Sequence, residues 1–369
     1  MSPGTIRWID INIGQAVCFG LTLWRKITGV FGRKKPTAPK KIVFIKFIEQ
    51  GATVLAYSAL KKAVDTVGRE NVYFCVFKPN RPILDLVGIV PDENVIVLDD
   101  GGWFSFLRTA LKAMFTLRKH KVDSSIDMEF FSRASAIFAY MSGVRNRVGL
   151  HRFTSEYPYR GDLLTHKVAH NAYLHTSKAY LLLVEALLTD QTSVPLLKML
   201  PSQLPVEVPR FQYAQEELEA FRNKLAEEAG RPLPDRIILL NPNASDMLPL
   251  RKWETDRFIE LGKRLRAERG DALLVVTGAP SEAGPAAAIA KQIGEDVVSM
   301  AGKTSLRELF LLYELSDLLV TNDSGPAHFA SMTDTGILVL FGPETPQLFG
   351  PLGDGIEIIW KGYTPSPSK

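Results

Sequence analysis

Cysteine is scarce in this chain: Cys18 and Cys75 are the only two. Two thiols make no disulfide framework, and neither belongs to a pair with metal-ligand spacing. The six histidines include no HExxH and join no Cys/His cluster, so no metal site is expected. A reducing, cytoplasmic setting fits this usage. Charge of one sign is also in short supply. A net charge of +4 over 369 residues does not amount to the concentrated basic face that nucleic acid requires, and no nucleic-acid partner is expected. The apolar run from Ala16 to Trp24 is interrupted only by Gly20 and Thr22. It falls short of the roughly 20 residues that span a bilayer. The start lacks the basic region and small-residue cleavage site of a signal peptide. No strand–GxGxxG–helix fingerprint occurs, which argues against an NAD-dependent oxidoreductase.

What is present is ordinary globular composition, 46% hydrophobic and 23% charged, in a chain long enough for two cores. Three stretches are expected: residues 1–39, 40–205 and 206–369. In the first, Ile13, Val17, Gly20, Trp24, Ile27 and Phe31 recur at helical spacing. Arg33, Lys34 and Lys35 follow, then a linker from Pro36 to Pro39. Two outcomes stay open for this amphipathic helix. Residues 9–31 lie in a membrane interface, held by the apolar face and nearby basic residues, or they pack on the protein itself.

From Lys41 onward the pattern alternates between strand and helix. Strands are expected at Ile42–Phe47, Val72–Phe77, Val95–Leu98 and Ser124–Met128, with helices at Val54–Val67, Phe104–Lys119 and Tyr173–Leu188. The segment Thr189–Pro209 is rich in Pro, Gln, Ser and Thr and marks the boundary. A second series follows, with strands at Arg236–Asn241, Ala272–Thr277, Val297–Met300, Asp317–Thr321 and Gly336–Phe341. Helices are expected at Glu254–Arg269, Ser281–Ile293, Ser305–Leu315 and Pro326–Met332. Such alternation implies parallel sheets with right-handed crossovers. Two doubly wound α/β domains of this kind would hold a ligand at the carboxyl ends of their strands, in a cleft between them.

Three turns in the second series carry the chemistry. In LLVTNDSGPAHFA a strand runs into Asn322-Asp323-Ser324-Gly325, with Pro326 opening a helix. Proline suits a first helical turn, glycine permits close backbone approach, and free N–H groups favour an anion such as a diphosphate. His328 lies one turn further on. The competing explanation is a capped turn with a surface histidine. The second turn, Asn241-Pro242-Asn243-Ala244-Ser245, precedes Arg251, Lys252 and Trp253, again a phosphate-compatible set or a solvated loop beside a packing tryptophan. The third, Thr277-Gly278-Ala279-Pro280-Ser281-Glu282, offers Glu282 either to a ribose or to its own helix start. Asp99-Asp100 precedes Gly101-Gly102 and reads as a turn, not a metal pair.

These segments resemble glycosyltransferase family nine, the family of the lipopolysaccharide heptosyltransferases. The resemblance runs through NPNASDMLPLRKWETDRFIELGKRL, the G-A-P-S-E turn, AGKTSLRELFLLYELSDLLVTNDSGPAHFAS and LFGPETPQLFGPLG. It extends more loosely through KIVFIKFIEQGATVLAYSALKKA and VDSSIDMEFFSRASAIFAYMSGVRNRVGL, covering residues 40–355. It implies a GT-B fold: an acceptor-binding and a donor-binding Rossmann-like domain facing across a cleft. It also implies inverting transfer of a sugar from a nucleotide diphosphate donor to a cell-envelope or lipid-linked glycan, with no cofactor beyond the substrate. Such an enzyme would be cytoplasmic, at the inner face of the membrane if the first helix is interfacial.

By this resemblance Asp323, Ser324, Gly325 and His328 face the donor phosphates, and Ser245 and Arg251 also lie at the donor. Lysine is more usual where Arg251 stands. Asn243, Lys252, Gly278 and Glu282 complete the expected donor side. After the first strand the family reads Gly-Asp, the aspartate serving as base, whereas this chain has Gly51-Ala52. Alanine accepts no proton. Glu49 is the expected replacement and Asp127 the second choice, because an inverting transfer needs a group within reach of the attacking hydroxyl. The alternative is a nucleotide-sugar-binding protein that has lost its base at Ala52. The acceptor-side loop Gly149–Asp162, with His151, Arg152, Tyr157, Tyr159 and Arg160, would suit an anionic glycan or lipid head group.

Overall fold

A computed structural model describes residues 3–29, 37–151, 159–190, 192–193, 196–244 and 249–362, with side chains from Trp8 onward. Ser245, Arg152, Tyr157, Phe31 and the basic run Arg33–Lys35 lie outside the described residues. The chain divides into two compact units, Met1–Val206 and Glu207–Lys369.

The first unit comprises α1 (Pro3–Gly29), β1 (Ile42–Ile45), α2 (Gln50–Leu55), α3 (Tyr57–Val67), β2 (Val72–Phe77), α4 (Arg81–Val87), β3 (Val95–Leu98) and α5 (Trp103–Lys119). It continues with β4 (Ser124–Asp127), α6 (Arg133–Met141), β5 (Asn146–His151), β6 (His166–Ala169) and α7 (Thr176–Leu188). Its six described strands pair in the order β3-β2-β1-β4-β5-β6. All five pairings are parallel. Strands covered on both faces read as unbroken apolar runs, and Ile42–Ile45 is buried throughout. Alternate residues enter separate cores. Ile42 and Phe44 meet α3 and α7 through Leu60, Ala63 and Leu183. Val43 and Ile45 meet α5 and α6 through Ala113, Leu117 and Phe138.

The second unit comprises α8 (Gln215–Ala229), β7 (Arg236–Asn241), α9 (Thr255–Glu268), β8 (Ala272–Val276), α10 (Ala283–Ile293), β9 (Val298–Ser299) and α11 (Leu306–Glu314). β10 (Leu318–Asn322), α12 (Gly325–Ala330), β11 (Gly336–Phe341), α13 (Pro346–Phe349) and β12 (Ile356–Trp360) complete it. Its order is β12-β11-β10-β7-β8-β9, again parallel throughout. Counted within the unit, this is the same permutation as in the first, the order of a dinucleotide-binding doubly wound sheet. Ser305 opens α11 with a capping box: its Oγ accepts from the Glu308 N–H, and Glu308 accepts from the Ser305 N–H at 2.8 Å.

Some expected elements are revised. The helix expected over Val54–Val67 is two helices broken at Ala56, whose N–H is shared between the Ala52 and Thr53 carbonyls. The apolar stripe of α1 turns outward, leaving Ile13, Val17, Trp24 and Ile27 exposed. The helix packs instead by a small and polar face. Gly14 lies against the Arg133 side chain, and Cys18 joins Ala136 and Leu163 in a small core. Asp10 accepts from the Arg133 and Ala134 N–H groups at 2.9 Å each, capping α6, and pairs with the Arg133 guanidinium. Thr22 accepts from the Asp162 N–H, and Arg25 pairs with that residue's carboxylate.

Candidate functional site

A doubly wound sheet opens where neighbouring strands send their connections in opposite directions, and ligands bind there. In the second unit this point lies between β7 and β10, which pair through Thr321 and Asn241. The chain around it is held by amides. Fully buried Asn322 donates to the Asn243 carbonyl at 3.2 Å and accepts from the Trp253 N–H at 3.0 Å. Asn241 donates to Thr277 at 3.1 Å and Asn243 to the Thr277 carbonyl at 3.3 Å. A Cβ on Gly278 would stand 2.8 Å from the Asn243 amide nitrogen, so glycine is what lets these turns close. The Glu282 carboxylate accepts from the Ala279 N–H at 2.7 Å, which favours its helix-start role over a ribose contact. Trp253 packs edge-on against Phe258.

The electrostatic centre of the site is Arg251. Its Nε lies 3.5 Å from Asp323 Oδ2, and its Nη2 lies 3.4 Å from Glu344. The Phe-Gly-Pro turn makes this possible: a Cβ on Gly342 would come within 2.9 Å of the Leu250 carbonyl. Arg251 Nε and Asp323 Oδ2 make no hydrogen bond among the described residues. Burial pushes the Asp323 carboxyl up to about 6, against the pull of Arg251 and with help from Glu344. Ser324 donates to the Asn322 carbonyl, so its hydroxyl closes the turn. Gly325 opens α12 with Pro326 in its first turn, and His328 is buried one turn on. Lys252 is exposed beside Arg251.

The corresponding point in the first unit lies between β1 and β4. Lys46 follows β1, is 1% exposed and is clamped between Glu49 at 2.7 Å and Glu129 at 3.2 Å. Burial works against its ammonium, but Tyr180, Glu129 and Glu49 outweigh it and hold the amine above the usual lysine range. Glu129 also accepts from the Phe47 N–H at 2.6 Å, fixing the loop that carries Glu49. Glu49 is half-exposed at φ 73°, a left-handed conformation that costs a non-glycine residue of the order of 1 kcal/mol. Lys46 and Glu129 were not apparent in the sequence, because their pairing joins residues 83 apart.

Asp127, the second-choice base, does not fit that role. It is 0% exposed and fully engaged: Ser135 donates at 2.8 Å, Arg160 at 3.1 Å and the Glu129 N–H at 3.1 Å. Burial pushes its carboxyl up to about 6, with Arg160 opposing. Arg160 is correspondingly buried and also donates to the Leu150 carbonyl, so it does not offer an open cation to a glycan. Ala52 packs on the core of its unit. Asp99 accepts from the Gly101 N–H and the Ser105 hydroxyl, the turn that starts α5.

Two doubly wound units, each built around such a switch point, define the GT-B architecture. The family model of glycosyltransferase family 9 (heptosyltransferase) matches residues 110–369. The chain belongs to this family. Lipopolysaccharide heptosyltransferase 2 of Salmonella typhimurium is 26% identical over 230 residues, 61% of either chain, so the match spans about three-fifths of that relative. Among solved structures, the ADP-heptose lipopolysaccharide heptosyltransferase II of E. coli superposes with a TM-score of 0.67 at 20% identity, covering 86% of this chain and 90% of the other. E. coli heptosyltransferase WaaC with ADP gives 0.61 at 17% identity, covering 86% and 92%.

Proposed function

We propose that the chain is an inverting glycosyltransferase that moves a heptose-like sugar from a nucleotide diphosphate donor to a cell-envelope or lipid-linked glycan. The observation that carries this is Arg251, held against Asp323 and Glu344 at the β7/β10 switch point of a family 9 chain. ADP is the nucleotide of choice, because the solved relatives are described with ADP-heptose or ADP.

In this reading the donor diphosphate meets Arg251 and the N–H groups that open α12, which stabilise charge on the departing phosphate. The acceptor hydroxyl attacks the anomeric carbon from the face opposite the phosphate. Its proton passes to the Glu49 carboxylate, the new oxygen–carbon bond forms, and the old carbon–oxygen pair leaves with the β-phosphate. Lys46 donates to the Glu49 carboxylate at 2.7 Å and orients it, so the alanine at position 52 does not by itself favour a binding protein without catalysis. The outward face of α1, with Trp8, Phe19, Leu23 and Trp24 exposed, supports a peripheral position at the inner face of the cytoplasmic membrane. No described helix is long and apolar enough to cross a membrane.

A panel of ADP-, UDP- and GDP-sugars, followed by melting temperature and nucleoside diphosphate release, tests the proposal. The expected result is stabilisation by one donor and release that depends on an added glycan acceptor. No stabilisation by any nucleotide sugar would refute it.

A further inference from the structure

The helix α5 carries a second outward apolar face. Phe104 is 80% exposed and Phe115 68%, and between them Leu107 and Leu111 are also open. The spacing of 3, 4 and 4 places these four residues along one side of the helix, a stripe of about 16 Å. The opposite side is committed to the sheet through Ala110, Ala113 and Leu117. The stripe is therefore not a misplaced core face. Four large apolar side chains are held in solvent by a helix whose other side is already packed.

The charges of α5 say what fits the stripe. Its 17 residues include no acid, while Arg108, Lys112 and Lys119 are exposed along one edge of the stripe. None of these three makes an ion pair among the described residues. An apolar stripe of Phe and Leu edged by cations matches an anionic bilayer surface, where rings enter the acyl boundary and ammonium groups stay with the phosphates. Trp103, half-exposed at the start of the helix, has the amphipathic ring that settles at that depth. Continuity with α1 strengthens the match. Both α5 and α1 contact α6, and α5 and α6 cover the same sheet face, so the two helices with outward apolar stripes flank one helix of the first unit.

We propose that α5 is a docking element for an anionic lipid surface, with Phe104, Leu107, Leu111 and Phe115 inserted and Arg108, Lys112 and Lys119 at the head groups. It acts beside α1, and this inference rests on the reading of the protein as peripheral to a membrane. The occupant is lipid, not a second copy of the chain: a self-association face would bring the same unpaired cations against one another across its axis.

Flotation of the full chain with phosphatidylcholine vesicles, and with vesicles that also contain phosphatidylglycerol, tests this. Wild type is expected to float with the anionic vesicles and to lose binding as salt is raised. The Phe104→Gln/Phe115→Gln variant is expected to lose roughly tenfold or more in partition, with an unchanged melting temperature and nucleoside diphosphate affinity. Should that pair fail to fold, Arg108→Gln/Lys112→Gln is expected to weaken anionic binding while neutral binding stays as it was. A Phe19→Gln/Trp24→Gln variant reports on α1 alone. Wild-type flotation that survives the α5 substitutions overturns the inference and leaves the peripheral reading standing. Failure of wild type to float overturns both. A dimer seen by sedimentation and abolished by the α5 substitutions assigns the stripe to a second copy and also overturns it.

Discussion

Replacing Lys46 by methionine separates the structural from the chemical role of the β1/β4 switch point. The side chain is 1% exposed and joins two carboxylates of different surroundings, buried Glu129 at 3.2 Å and half-exposed Glu49 at 2.7 Å. Methionine keeps the bulk and removes the charge. Glu129 would keep its bond from the Phe47 N–H but lose the cation that balances it. Removing one partner of a buried pair costs about 3–5 kcal/mol, whereas losing an exposed partner costs about 0–1 kcal/mol. Lys46→Met is therefore expected to destabilise the first unit by about 3 kcal/mol, or roughly 6–12 °C in Tm for a unit of this size. Glu49→Gln should cost under about 1 kcal/mol. Adding Glu129→Gln to Lys46→Met should recover part of the loss, because no bare charge remains. Urea unfolding of the three variants measures all of this. A Lys46→Met variant within about 1 kcal/mol of wild type, with no recovery in the double variant, would refute the reasoning.

Three other outcomes are expected. Asp323 has a folded-state pKa of about 6 against an ordinary 3.8, so its contribution to stability is full below the ordinary value and is lost as pH rises through 6. The difference is roughly 3 kcal/mol, and denaturation of Asp323→Asn between roughly pH 3 and 7 should show a correspondingly flatter profile than wild type. Gly342→Ala would set a methyl 2.9 Å from the Leu250 carbonyl and push Arg251 off its partners, with donor affinity falling roughly tenfold in a nucleotide titration. Asp10→Ala removes the acceptor for two N–H groups of α6 and the partner of buried Arg133. About 2–4 kcal/mol should be lost, and amide exchange in α1 should rise before exchange in the sheet does.

The parallel strands were the most legible part of the fold. Val72–Phe77, Val95–Leu98, Arg236–Asn241 and Gly336–Phe341 have the same bounds in sequence and structure. Val72–Phe77 and Arg236–Asn241 are buried almost throughout, and such burial leaves few polar interruptions. β5 and β6 were not legible: NRVGLH and HKVA are short and polar, and neighbouring strands decide them. Helices α4, α6 and α8 are likewise absent from the elements that the sequence pattern predicts. The turns at Asn322–Gly325 and Asn241–Asn243 stood out because polar and glycine residues follow apolar strands directly. What they do locally was less visible. Asn243, Glu282 and Ser324 spend their hydrogen bonds on the turns themselves, and the Arg251–Asp323 pairing joins residues far apart in the chain. The outward apolar faces of α1 and α5 could not be separated from core faces by periodicity, since spacing says which residues share a side and not what covers it.

The measurement that bears most directly on the central claim is acceptor-dependent release of nucleoside diphosphate from a sugar donor, compared between wild type and Glu49→Gln. Release by wild type, cut by roughly 100-fold or more in Glu49→Gln with donor affinity unchanged, is the result expected of a glycosyltransferase whose base has moved from position 52 to Glu49. Equal release by the two proteins would contradict that assignment, and a wild type that binds no nucleotide sugar would contradict the function itself.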